Sequence, residues 1–349
     1  MILRPKPSPR HYATLAAVPS TVPLATVPAW LRRAVPDAQS PAGKGVGLNT
    51  LEDVALAAGA AIGALDAVVR RQEFWGGAWR QRLALAAAAV TAKQGGRIED
   101  ESALRDAVLL ARPSDIVSGS TTVGPAGLLL LAWRRLAARP AEDLLTKKNL
   151  AAVLNEFGYA PDGEVVSDLA DELRQRAAGA GLVVTLTGTF MAAERHGFGR
   201  AVGYWLADAL LAQRLGWDHA VPLLGAEAAL GTSARPRRSV ASAVATGIES
   251  DPERAKSLLA AQARAALRAI DLSAELERRA EKLLGVAPKL RAKAADMVVG
   301  RLLSDDAIVA SEKIAGMSDR GLRRLFDRLV ELGVVRELSG RATFRIYGL

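Results

Sequence analysis

The chain has 349 residues, half of them apolar, and 46 basic against 37 acidic side chains give a net charge of +9. It contains no cysteine, which excludes disulfides and thiolate metal sites, and its three histidines (His11, His196 and His219) are too scattered for a His-based metal site. Aromatics are 5% of a composition rich in Ala, Leu and Val, which favours close-packed helices over a β-sandwich.

At about 100–200 residues per domain the length predicts two or three units. The expected division is a Pro-rich basic N-terminal arm over 1–48, an all-helical body over 49–287 and a separate domain over 288–349. In the arm, prolines recur from Pro5 to Pro41. Proline at that density removes backbone donors and blocks helix propagation. An extended segment is expected, with one short turn near Trp30–Arg33. GKGVG (43–47) lacks the preceding strand and the G-K-S/T ending of a phosphate loop, so no nucleotide site is read there.

From Thr50, a capping residue, a helix is expected to about Arg71. Helices follow over Trp79–Gln94, ended by Gly95-Gly96, and over Glu99–Ala111, ended before Pro113. After a Ser/Thr/Gly loop (114–124) come Pro125–Ala138, Ala141–Phe157, Val165–Ala178, Leu182–Glu194 and Phe198–Leu215. A basic loop, TSARPRRS (232–239), precedes two long helices at about 251–270 and 272–285. The six tryptophans fall at apolar helical spacings and are expected in the core or at helix contacts. No run approaches the ~18 apolar residues of a membrane span, and the start, MILRPKPSPRHYA, lacks an apolar signal core. A soluble cytoplasmic protein with no membrane partner and no cofactor is expected.

The last sixty residues change texture. An amphipathic helix over Leu290–Leu303, a short helix over Ile308–Ile314 and a helix over Asp319–Leu332, capped by Ser318 and ended by Gly333, are expected. VVREL (334–338) and RATFRIY (341–347) alternate apolar and polar residues around Ser339-Gly340, a β-hairpin signature. The fold class is therefore mainly α: a multi-helix bundle body with a C-terminal winged helix-turn-helix carrying a short β-hairpin.

Charge sits at the two ends. Residues 1–45 carry a net +5, residues 289–349 a net +4, and the middle is neutral. That is the footprint of a nucleic-acid binder. In the helix after Ser318, Leu322, Leu325, Phe326, Leu329 and Val330 form one apolar stripe, and arginines occupy the other face. A recognition helix enters the major groove with its N-terminal half, so Arg320, Arg323 and Arg324 are the expected base or phosphate readers, followed by Arg328. The arginine fork donates two hydrogen bonds to guanine O6/N7 or to phosphate. Lys313, with Arg336, Arg341 and Arg345 of the hairpin, would grip the backbone. The competing reading is a solvated basic face on a winged helix that binds protein.

The ending GLRRLFDRLVELGVVRELSGRATFRIYGL, with DESALRDAVLLARPSD (100–115) and GPAGLLLLAWRRLA (124–137), resembles an uncharacterised bacterial family, DUF1403, over most of the chain after about residue 50. The resemblance implies no activity. Its members' occurrence on plasmids and integrative elements associates it with regulation. More distantly, the segment ERHGFGRAVGYWLADALL (194–211) is similar to the catalytic loop of Fic-domain proteins, H-x-F-x-D/E-G-N-G-R followed by an apolar helix. His196 and Phe198 match H-x-F, and Gly199-Arg200 match the final G-R; the acidic residue, Gly and Asn between them are missing. In that chemistry the histidine is a general base, the acidic residue holds a metal, and the Gly-rich backbone with Arg cradles phosphate at a helix N-terminus. The resemblance thus implies a degenerate Fic-like bundle, with His196 and Arg200 as the residues any retained chemistry would use. His196 equally fits the polar entrance to a buried helix, with Gly197 and Gly199 in a turn.

Three functions stay open on these residues. One is a DNA-binding regulator of transcription or of a mobile element, acting on double-stranded DNA as a homodimer, with a small-molecule or nucleotide ligand in the helical body. The second is an AMP- or phosphate-transferring enzyme, and the third a winged-helix adaptor that binds protein.

Overall fold

The computed structural model describes residues 27–35, 50–111, 123–179, 181–227, 252–292, 294–340 and 343–349. Most of the proline-rich arm, GKGVG, the 114–122 loop, RPRR (235–238) and Arg341 lie outside the described residues. The described chain is mainly α, with twelve α-helices and one small three-stranded sheet near the C-terminus. It divides into two units, a larger one over Ala25–Gln72 and Trp79–Ser273, and a smaller one built from Glu73–Ala78 and Ala274–Leu349.

The larger unit begins with α1 (Ala29–Ala34), a full helix in place of the short turn expected near Trp30–Arg33. Next come α2 (Leu51–Arg70), capped by the Thr50 side chain, and α3 (Gly76–Gln94), whose first residues belong to the smaller unit. α4 (Glu101–Leu109) is capped by Asp100, which accepts from the Ala103 N–H at 2.8 Å. Then follow α5 (Gly124–Ala138), α6 (Lys147–Glu156), α7 (Gly163–Gly179), α8 (Leu182–Arg195) and α9 (Arg200–Leu215). Consecutive members from α4 to α9 pack on one another. α9 is buried without a break from Val202 to Ala212, as a helix apolar all round must be.

The expected helix over Ala141–Phe157 is broken. Ala141–Asp143 form a single 3-10 turn and α6 starts only at Lys147. The cause is tertiary: Pro140 bridges His219, and the Ala141 N–H donates to the Asp218 carbonyl at 2.8 Å. The two helices expected over 251–270 and 272–285 are instead one, α10 (Pro252–Val286). No Gly or Pro interrupts residues 253–284, and Leu276, Ala280 and Leu283 prolong the buried stripe.

Tryptophans fix much of the larger core. Trp133 and Trp205 are fully buried. Trp205 donates to the Ala132 carbonyl, Trp79 to the Ala269 carbonyl, Trp217 to Asp66 and Trp133 to Thr91. Each ring buries a large apolar area while its N–H finds an acceptor. Trp75, in the smaller unit, is also buried, and Trp30 departs from the expectation in being exposed. Asp208, on α9, is fully buried; its carboxylate accepts the Leu223 and Leu224 backbone N–H groups at 2.7 and 3.1 Å and pins the chain after α9.

In the smaller unit, α10 ends in a 3-10 turn (Ala287–Lys289), followed by α11 (Ala295–Ser304), β1 (Ile308–Val309), α12 (Asp319–Glu331), β2 (Arg336–Glu337) and β3 (Ile346–Gly348). The short helix expected over Ile308–Ile314 is not formed. Ile308 and Val309 pair antiparallel with Tyr347 and Ile346, and the Ala310 N–H continues the ladder to the Arg345 carbonyl. Two β-branched residues facing a partner strand gain more from that ladder than from one helical turn. The hairpin forms, but Arg336 faces Gly348 and Glu337 faces Tyr347. Its loop is therefore longer than the two residues Ser339-Gly340 expected from sequence. The sheet order is β1-β3-β2. Phe326 of α12 stacks on Tyr347 of β3, centroids 4.3 Å apart and planes 6° apart.

Candidate nucleic-acid interface

Two places were singled out by the sequence. In the larger unit, the segment from His196 to Arg200 joins α8 to α9. The Gly197 N–H bonds back to the Glu194 carbonyl at 3.0 Å, and the Phe198 N–H to the Ala193 carbonyl at 2.9 Å. Gly197 sits at φ +78°. That bond pair around a left-handed residue is the Schellman helix stop. Phe198 is buried edge-on against Tyr159, centroids 5.1 Å apart. Gly199 then caps α9, and its N–H donates to the Tyr159 hydroxyl at 2.6 Å.

His196 is half-buried, and its Nε2 lies 3.2 Å from Glu172 Oε2 on α7. Arg176 and Arg195 reach the other Glu172 oxygen. Burial pushes the Glu172 carboxyl up, but the Arg176 hydrogen bond, the Arg195 charge and the His196 contact outweigh it and hold the group below its usual range. The carboxylate beside His196 is thus already neutralised by two guanidinium groups. Arg200 is exposed at the first position of α9. Among the described residues no group of three or more His, Cys, Asp or Glu could hold a metal ion. Glu172 is the partner that sequence reasoning missed.

The second place is α12. Ser318 caps it, accepting the Gly321 N–H at 3.2 Å. Leu322, Leu325, Phe326 and Leu329 are buried, as the periodicity predicts, while Val330 is 40% exposed and leaves the stripe. Arg320, Arg323 and Arg324 are exposed in the first half of the helix and make no ion pair among the described residues. They lie within about a third of the helix circumference at 100° per residue. Further along, charges compensate: Arg328 pairs with Glu331 at 2.6 Å. The unpaired positive charge therefore gathers at the end nearest Ser318.

Arg345, entering β3, lies 3.9 Å from Asp327 of α12 and 3.8 Å from Glu337 of β2. Lys313 is exposed between β1 and α12. Arg336 is exposed beside Glu337, and strand alternation turns the two to opposite faces of the sheet, so Arg336 does not join Arg345. Phe344, in the hairpin loop, is 64% exposed at φ +58°.

Alongside α12 the smaller unit has a cleft of about 630 Å³. Lys289 and Arg291, after the end of α10, line it opposite Arg324 and Arg328. Sequence reasoning passed over these two, although the alternating basic residues that follow Pro288 were visible.

Among the described residues no helix is long and apolar enough to cross a membrane. A family model described as "Protein of unknown function (DUF1403)" matches residues 17–349. No curated protein and no solved structure matches the chain.

Proposed function

We propose that this chain, which belongs to the DUF1403 family over residues 17–349, binds double-stranded DNA through its smaller unit, with α12 as the recognition helix and the β2–β3 hairpin as a wing. The observation that carries the reading is the cluster of Arg320, Arg323 and Arg324, exposed and without ion-pair partners among the described residues, on the N-terminal half of a helix packed against the β1-β3-β2 sheet. Keeping three guanidinium groups unpaired beside one another costs electrostatic energy. A polyanion offsets it, since phosphates and guanine edges both accept the bidentate fork. In this reading Arg323 and Arg324 meet base edges, and Arg320, Lys313 and Arg345 hold phosphates.

The working form is a homodimer in the cytoplasm that regulates transcription or a mobile element, because recognition helices read half-sites in pairs. The larger unit would supply the dimer contact. The test is retention of fragments from the protein's own genomic neighbourhood, titrated against salt with competitor DNA present. Affinity should fall with a log–log slope of roughly −3 or steeper if three or more phosphates are neutralised. Arg323→Ala with Arg324→Ala should weaken specific binding at least about thirtyfold, since each bidentate base contact is worth roughly 1–3 kcal/mol. Unchanged affinity in the double variant refutes the assignment. A co-purifying protein with no salt-sensitive retention of DNA would favour the adaptor instead.

A further inference from the structure

The cleft beside α12 has an apolar floor and a cationic rim. Leu290 and Leu325, both buried, line it together with the more exposed Leu332. Arg291, Arg324 and Arg328 stand around it, and among the described residues no carboxylate lines it. Arg291 and Arg324 have no ion-pair partner among the described residues. Its volume, about 630 Å³, is in the range of sites for small organic molecules, roughly 300–1,000 Å³.

We infer that this cleft binds a small amphipathic anion, an aromatic or aliphatic body carrying one carboxylate, sulfonate or phosphate group. The apolar body would cover Leu290 and Leu325, and the anionic head would lie between Arg291 and Arg324. A purely polar anion would leave the floor wet, and an uncharged apolar molecule would leave the rim cations facing one another. Only an occupant with both parts satisfies both surfaces.

Arg324 belongs to the cleft and to the face assigned to DNA. The residue sits at the border between them on α12, whereas Arg323 lies away from the cleft. A guanidinium that clamps the ligand head is not free to read a base. The ligand and DNA should therefore compete, and this competition rests on the DNA-binding reading above. The anion site itself does not.

The probe is anilinonaphthalene sulfonate, a fluorescent amphipathic anion, titrated into the full-length protein without DNA. Saturable binding at one site per chain is expected, with phenylnaphthylamine, its uncharged counterpart, binding about tenfold or more weaker, as for loss of one charge-assisted contact. Arg291→Gln and Arg324→Gln should each weaken the sulfonate about tenfold on the same basis, and Arg323→Ala should not. Non-saturable binding, or affinity indifferent to Arg291, Arg324 and the sulfonate group, overturns the site. With DNA added, displacement of the probe supports competition. Simultaneous binding of probe and DNA overturns the competition. If the probe binds as expected and no DNA is retained, the DNA reading fails and the anion site stands.

Discussion

Gly197→Ala tests the helix stop that joins α8 to α9 at His196–Arg200. Gly197 holds φ +78° with no atom within 4 Å of where a Cβ would be, so the cost of alanine is backbone strain alone. An L-residue in the left-handed region costs about 1–2 kcal/mol. The lower entropy of an unfolded chain carrying Ala returns about 0.4–1 kcal/mol. The net is roughly 1 kcal/mol, or about 2–4 °C in Tm for a unit of this size. Gly197→Asn should lose less than half of that, because asparagine visits the left-handed region more readily.

Gly199 is two residues away and answers to a different cause. Its φ is ordinary at −73°, but a Cβ there would meet the Tyr159 hydroxyl at 2.8 Å. Tyr159→Phe also removes the acceptor of the Gly199 N–H, so it should cost stability by itself, but in that background Gly199→Ala should cost less and Gly197→Ala as much as before. Urea unfolding of the four variants and their combinations reads both effects. Full stability in Gly197→Ala, or equal losses with Ala and Asn, would refute the left-handed stop.

Three further outcomes are expected. Burial holds the Asp208 carboxyl well above its usual range, despite the Leu223 and Leu224 N–H bonds that favour its ionised form. The folded state thus keeps that proton longer than the unfolded chain, and wild-type stability is lost as pH rises from about 4 through the folded-state value. Asp208→Asn, which cannot ionise, should gain on the wild type across that window in a series of urea melts, and a gap constant with pH would contradict the assignment. Gly225, in the 3-10 turn Leu224–Ala226, has no room for a methyl: Gly225→Ala drives one into the Trp133 ring and to 2.8 Å from the Ala87 Cβ; it should cost about 1–3 kcal/mol and change near-ultraviolet circular dichroism, and an unchanged spectrum and midpoint would show that this turn is loose. Phe326→Ala removes a fully buried ring from its stack on Tyr347, for about 3–5 kcal/mol and loss of amide-exchange protection in β3; retained protection would mean that the sheet does not depend on α12.

Elements whose start and stop signals lie within a few residues were legible in the sequence. Thr50 and Ser318 each bond a backbone N–H three residues on, the Gly197 turn closes on Ala193 and Glu194, and the stripe from Leu322 to Leu329 repeats with the helical period. Such signals fix α2, the α8–α9 junction and α12, because caps and periodicity act between neighbours in the chain. The exposed arginines of α12 follow from the same stripe.

What tertiary structure decided rests on groups far apart in sequence. Ile308 and Val309 are β-branched, but two such residues alone do not separate a helical turn from a strand, and only pairing with β3 makes them one. Pro140 and His219 stop the helix expected from Ala141. His196 is 24 residues from Glu172, its neutralised partner. Arg291 and Arg324 line one cleft because the chain after α10 is laid beside α12. Strand pairing, ion pairing and cleft formation depend on which surfaces the core brings together, and periodicity gives a residue's face on its own element without naming the element it will meet.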